Sequence, residues 1–330
     1  MTKHHNSQRY VIIDPAFLGD VVFNGPLIRA IRDTHASARI DLVVRPPFEP
    51  IAEMISGVNQ VHSFDKRGAD SGWSGLNRMA RALRSLAFDC ALIPHPSVRS
   101  AMLAYMAGIP QRVGHGTGFS RLFLNHHVPI RASDSFVHHR LRLFSESSGN
   151  FSLAGTLKAT VGKSRDSSKK RIGLCLGSVW ETKRWPAKRA QEVLDDLDSD
   201  KYEVLFVGAP WERPLYDELI VDESLEVVDG TESTLEEMVQ MIASCDVVIA
   251  GDTGPLQIAR SLSIPVVALF GPSYESRHVF EHSDAVITEN VSCRPCSPHG
   301  HHTCPLKHHA CMQDLDGKRV LSAVLKVVNS

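Results

Sequence analysis

Residues 246–272 read DVVIAGDTGPLQIARSLSIPVVALFGP, and the fold follows from this stretch. Asp246 to Ala250 is a short apolar run of the kind that fills a fully buried parallel strand. Gly251-Asp252-Thr253-Gly254-Pro255 is a tight turn of acid, hydroxyl and glycine. Leu256 to Leu262 has helical spacing, and Pro265 to Phe270 is a second buried strand. The first backbone N–H groups of a helix opened this way are unpaired and face an incoming anion. Gly254 lets a ligand approach the backbone, Pro255 is tolerated in a first turn, and Asp252 can accept hydrogen bonds from a sugar hydroxyl. Taken alone, the turn is equally an ordinary capped connection between strand and helix.

The rest of the chain repeats the pattern. In the second half, strands are expected at Arg171–Leu176, Tyr202–Val207 and Leu225–Val228, with helices at Pro186–Leu197, Leu235–Ala243 and Lys318–Val328. In the first half, strands are expected at Tyr10–Asp14, Arg39–Val44, Cys90–Pro94 and from Arg112. A helix runs from Leu18-Gly19-Asp20 toward His35. Two more are expected at Gly75–Leu86, with Arg78, Arg81 and Arg84 on one face, and at Arg99–Gly108. Alternation of this kind implies parallel βαβ units. Residues 161–170 (VGKSRDSSKK) are polar and lack apolar periodicity, so they read as a linker between domains at 1–160 and 171–330. The expectation is α/β: two doubly wound, Rossmann-like parallel-sheet domains whose strand-end loops face one cleft, where such folds bind ligands.

Composition narrows the function. Apolar content is 43% and aromatic content 7%, and no apolar run is long enough to span a bilayer. The polar segment Met1–Arg9 lacks the apolar core of a secretory signal. Seven cysteines without such a signal point to a reducing, cytoplasmic setting. The net charge of −1 hides an asymmetry: residues 1–155 carry a net +6 and residues 156–330 a net −7. A basic first half suggests an anionic partner there, unless the two surfaces simply differ by chance.

Three further constellations carry chemistry. Asp20 follows Gly19 at a helix start after the first strand. It reads either as a helix cap or as a carboxylate poised to act as a general base toward a hydroxyl. The loop Gly177-Ser178-Val179-Trp180-Glu181-Thr182-Lys183-Arg184-Trp185-Pro186 offers Ser178 and Lys183 to a phosphate, or is a surface loop with two half-buried tryptophans. With the turn at Asp252 it gives one domain two phosphate-facing loops, which suits a diphosphate. Cys293, Cys296, Cys304 and Cys311, with several histidines among them, form either a tetrahedral thiolate site for zinc or iron or a set of packed free thiols. Cys90, Cys175 and Cys245 sit among apolar residues and read as core.

In this order and spacing the motifs resemble the bacterial ADP-heptose:lipopolysaccharide heptosyltransferases, glycosyltransferase family 9. The matching segments are VIIDPAFLGDVVFNGPLIRAIR, LIPHPSVRSAMLAYMAGIPQRVG, GSVWETKRWP and GDTGPLQIARSLSIPVVALFGPS. The tail CRPCSPHGHHTCPLKHHACM is most similar to the second heptosyltransferases of that pathway. The resemblance implies a GT-B fold, an acceptor in the N-terminal domain, ADP-heptose in the C-terminal one, and metal-independent, inverting transfer. It implies Asp20 as base, Lys183 as the lysine that contacts the donor, and Asp252, Thr253 and Gly254 as the donor loop. Gly19, Arg99, Ser178 and Gln257 are further candidates for substrate binding. Gln257 departs from the pattern, since the family commonly has His there, and Gln cannot carry positive charge.

The expected reaction is direct displacement. Asp20 deprotonates an acceptor hydroxyl, the oxygen attacks the anomeric carbon, and Lys183 with the N–H groups of Thr253 and Gly254 stabilises the departing ADP. Domain closure would exclude water. The basic half would meet the anionic lipopolysaccharide core at the inner membrane surface, where the protein would be peripheral. Two rivals stand. One is a GT-B transferase with another nucleotide sugar or a protein acceptor, as in autotransporter heptosyltransferases. The other is a non-enzymatic nucleic-acid binder using the Cys/His tail as a metal knuckle, against which the net −7 of the second half argues. The resemblance implies no catalytic cofactor; a metal-bound Cys cluster would hold a structural zinc or iron, and the charge balance leads us to expect no nucleic-acid partner.

Overall fold

A computed structural model describes residues 8–145, 152–159 and 168–329. The chain divides into two compact units, Met1–Lys158 and Ala159–Ser330. Of the expected linker at 161–170, residues 161–167 lie outside the described residues, and Lys170 already opens a strand.

The first unit runs β1 (Arg9–Ile13), α1 (Leu18–Val22), α2 (Gly25–Thr34), β2 (Arg39–Val44), α3 (Glu49–Met54), β3 (Gln60–Ser63), α4 (Gly72–Ser85), β4 (Cys90–Ile93), α5 (Val98–Met106), β5 (Gln111–Gly114), β6 (His126–His127) and α6 (Phe136–Leu141). Its six strands pair in parallel in the order β3-β2-β1-β4-β5-β6. β1, β2 and β4 are near-continuous apolar runs because helices cover both faces of the sheet. On one face Val11, Ile13, Val43 and Ile93 pack against Leu76 and Leu83 of α4 and Leu103 of α5.

The second unit runs β7 (Lys170–Cys175), α7 (Ala187–Asp195), β8 (Tyr202–Phe206), α8 (Arg213–Asp217), β9 (Val227–Asp229), α9 (Leu235–Ala243), β10 (Val247–Gly251), α10 (Gly254–Ser261), β11 (Val266–Phe270), β12 (Ala285–Thr288), α11 (Ala310–Gln313) and α12 (Gly317–Val328). Its order, β12-β11-β10-β7-β8-β9, is the same topology again. In each unit the chain leaves the first strand in one direction and later returns to its other side with the fourth. The switch points therefore lie between β1 and β4 and between β7 and β10, and loops at their carboxyl ends are where such sheets hold ligands.

The sequence expectation and the structure part at a few places. The helix expected from Leu18 toward His35 is two helices, because Pro26 lacks an N–H and its ring crowds the carbonyl four residues back. β3 and β12 are edge strands, and β6 is two exposed histidines, so none presents a buried apolar run to read. Cys90, Cys175 and Cys245 are buried, and burial pushes the Cys90 thiol up to about 12.

Candidate active site

In the first unit, β1 delivers Asp14 fully buried to the carboxyl end of the sheet, and α1 presents Asp20 six residues later. Asn24 donates from Nδ2 to Asp14 Oδ2 at 2.9 Å and to the Asp20 carbonyl at 3.2 Å. From α6, Arg140 reaches both acids: Nη2 donates to Asp20 Oδ1 at 2.9 Å and to Asp14 Oδ2 at 3.3 Å. The guanidinium is buried and lies 5.4 Å from the Phe23 ring centroid. The Asp20 side chain stays 21% exposed, so its carboxylate is held by a cation on one side and open to a reactant on the other. The ion pair adds a distant partner to Asp20, a residue that also sits at the start of its helix. Its only contact with the cap position is a long one from Phe17 N–H to Oδ2, at 3.4 Å. Gly19 sits in the first turn of α1 beside it. Arg99 is committed elsewhere, donating from Nη2 to the carbonyls of Asp70 and Gly72 and lying over Phe64.

In the second unit, the loop after β7 and the turn after β10 flank the switch point and meet there. Lys183 is nearly buried, and Nζ donates to Asp252 Oδ2 at 2.6 Å and to the Asp252 carbonyl at 3.3 Å. Gly251 permits the approach, since a Cβ there would fall 2.9 Å from the Lys183 carbonyl oxygen. The other Asp252 oxygen lies 3.3 Å from His278 Nε2. Gln257 donates from Nε2 to His278 Nδ1 at 3.5 Å, and Arg260 donates to Gln257 Oε1 at 2.9 Å. A neutral His278 with its proton on Nε2 satisfies both neighbours. Burial works to raise the Asp252 carboxyl, but His278 and Lys183 outweigh it and hold the group well below the usual carboxylate range. Burial pushes His278 below the ordinary imidazole value, with Asp252 pulling the other way. Thr253 donates its hydroxyl to the Gly251 carbonyl instead of capping α10, which begins at Gly254. Ser178 is turned into its own loop, accepting from Trp180 N–H at 3.1 Å. Of the two tryptophans only Trp180 is half-buried; Trp185 is core and donates to the Leu315 carbonyl.

The cysteine-rich segment is docked on this lysine loop. Thr182 donates from its backbone N–H (3.1 Å) and hydroxyl (2.9 Å) to the His301 carbonyl, and its hydroxyl accepts from His301 N–H at 2.7 Å. His309 Nε2 donates to the Thr182 carbonyl at 2.8 Å. Gly300, at φ +92°, is required where the backbone crosses Trp180. Cys311 is raised to about 11, first by burial and then by the nearby thiols of Cys296, Cys293 and Cys304. Cys293 Sγ lies 3.8 Å from His308 Nε2. The donor set suits a thiophilic ion, and the four thiols are neighbours. Among the described residues, however, no three His, Cys, Asp or Glu side chains are drawn around one point as ligands.

Arg140 and His278 escaped sequence reasoning. Each lies far along the chain from the acid it pairs with, inside a segment without a legible motif, and only the fold brings them in. The one available hint was Gln257, standing where the family commonly has a histidine.

Two doubly wound parallel sheets with this strand order are the architecture of the GT-B glycosyltransferases. The match to the model of glycosyltransferase family 9 (heptosyltransferase) covers residues 76–310, and the chain belongs to that family. It is 32% identical over 167 residues to a lipooligosaccharide heptosyltransferase 2 of Campylobacter jejuni subsp. jejuni serotype O:6, a match spanning 48% of this chain and 52% of that enzyme. It superposes on a solved family 9 glycosyl transferase from Veillonella parvula with a TM-score of 0.84 at 20% identity, covering 98% and 97% of the two chains. On the E. coli ADP-heptose lps heptosyltransferase II the TM-score is 0.80 at 21% identity, covering 98% and 99%.

Proposed function

We propose that this transferase moves a heptose from ADP-heptose to the anionic inner core of lipopolysaccharide, inverting the anomeric centre. Asp20 takes the proton of the acceptor hydroxyl as its oxygen attacks the anomeric carbon and the bond to the diphosphate breaks. Lys183 and the free N–H groups at the start of α10 receive the negative charge that develops on the departing ADP. The observation that carries this reading is the Lys183–Asp252 pair at the switch point, 2.6 Å apart. An incoming diphosphate competes with Asp252 for the ammonium, so the carboxylate holds the lysine in position until the donor arrives. Gln257 leaves the start of α10 without a cationic side chain, and His278 stands in the space beside it.

Four thiolates would give a zinc or iron ion a closed, structural site, with no open position for chemistry. None of the transfer steps needs it.

Mass spectrometry of the product formed from ADP-heptose and a core-truncated lipid acceptor tests the proposal. A heptose added to the lipid supports it. ADP release only from other nucleotide sugars, or transfer only to protein, would assign the chain to a different acceptor or donor within the same fold.

A further inference from the structure

We propose that the first unit carries a docking surface for an anionic phospholipid bilayer, centred on Phe119 and Leu122. Between Asp89 and Asp134 the chain contains no acidic residue, while Arg112, Arg121, Arg131, His126 and His127 fall in the same stretch. Within it, the short 3₁₀ turn Gly118–Phe123 packs on α5 and turns Phe119 (76% exposed) and Leu122 (74%) outward. Tyr105 of α5, itself exposed, stacks edge-on against Phe123 at 5.7 Å, and the Arg112 guanidinium lies 5.4 Å from the Tyr105 ring centroid. Arg121 and His127 lie side by side, both lining the backbone at Gly116. Large exposed apolar tips are therefore interleaved with cations along this segment.

Isolated exposed apolar residues are ordinary, but two on one turn, in a stretch that carries an exposed tyrosine and no acid, are not the pattern of a solvated loop. Aromatic and aliphatic tips enter the boundary between headgroups and acyl chains, and arginines meet the phosphates above it. A second copy of this chain fits poorly, because a two-fold contact would set the same positive face against itself. The surface gains its purpose from the lipid-linked acceptor proposed above. Adsorption needs neither donor nor transfer, so the two readings fail separately.

Flotation of the full chain with vesicles tests the surface. Retention is expected on phosphatidylcholine mixed with phosphatidylglycerol, falling with salt, and not on phosphatidylcholine alone. The double change Phe119→Ser and Leu122→Ser should cut retention about tenfold or more, because two apolar side chains that enter the bilayer are lost. Arg121→Glu should do the same through charge. Both variants should melt as wild type does. Equal retention on the two vesicle types, no retention at all, or undiminished retention of the variants overturns the proposal. So does a concentration-dependent dimer that the serine changes abolish, which would make the face a contact between copies. If vesicles are bound and no heptose is transferred, the surface stands and the acceptor assignment falls.

Discussion

Arg140 on α6 holds Asp20 on α1 across 120 positions of sequence, with 2.9 Å between Nη2 and Oδ1, and the same nitrogen reaches buried Asp14. The candidate base is thus oriented by a residue that cannot itself touch the proton being moved.

Replacing Asp20 with Asn keeps the shape and removes the base. Turnover should fall by roughly 10²–10⁴ while donor affinity stays the same. Single-turnover kinetics and ADP titration check both halves. A variant that keeps more than about a tenth of wild-type turnover would return Asp20 to a purely structural role.

Arg140→Gln should act on stability first. It leaves Asp14 buried without its cation, a change that costs about 3–5 kcal/mol in comparable cases. Arg140→Lys should recover part of the melting temperature but less of kcat, because a point charge cannot serve two carboxylates in the geometry of a guanidinium. Equal recovery of both would show that charge alone, without orientation, is what Asp20 needs.

ADP should raise the melting temperature of the second unit, since a ligand that binds only the native state adds about 2.7 kcal/mol at a hundredfold excess over Kd. Lys183→Ala and Asp252→Ala should each shrink that shift without unfolding the chain. Differential scanning fluorimetry reads all three; no shift at saturating ADP argues against a nucleotide diphosphate donor.

His278 gives the second unit a pH signature. Its folded pKa lies below the ordinary value, mainly through burial, so around pH 6 the unfolded chain binds more protons than the folded one. The contribution is complete above about pH 6.5 and is lost as pH falls through the folded value. Asp252, also depressed, adds stability that disappears only in stronger acid. His278→Gln keeps a hydrogen-bond donor and cannot titrate. Its melting temperature should therefore fall less than that of wild type between about pH 7.5 and about pH 5. Parallel curves would mean that His278 does not change charge on unfolding.

If the four tail thiols hold an ion, protein purified without chelator should contain close to one zinc or iron per chain. Any of Cys293→Ser, Cys296→Ser, Cys304→Ser or Cys311→Ser should then release it. Because the segment is bonded to Thr182, release should weaken ADP binding as well as stability. A negligible metal content, with all four thiols reacting with a thiol reagent, gives the free-thiol outcome.

The strands that set the architecture were legible because burial on both faces leaves an unbroken apolar run, as in β10 and β11. The turn at Asp252 and the loop at Lys183 were legible because close backbone approach and a buried ion pair restrict residue types. Edge strands β3 and β12 were not, since one side of each lacks a neighbour and the apolar run is lost. Arg140 and His278 were not, because an arginine in a short helix and a histidine in a loop look alike whether they face solvent or a buried carboxylate. Their roles exist only through contacts distant in sequence.

The hydrogen bonds that join Thr182 to the His301 backbone and to the His309 ring also bear on how family members can be recombined. The lysine loop and the tail are separated by more than a hundred residues but interlock through a hydroxyl, an imidazole and main-chain groups held at short range. A graft that carries residues 177–186 into a relative without 297–309 would sever these bonds and leave the lysine on an unbraced loop. The two segments should be exchanged together, and natural variation in the length of one should be matched by variation in the other.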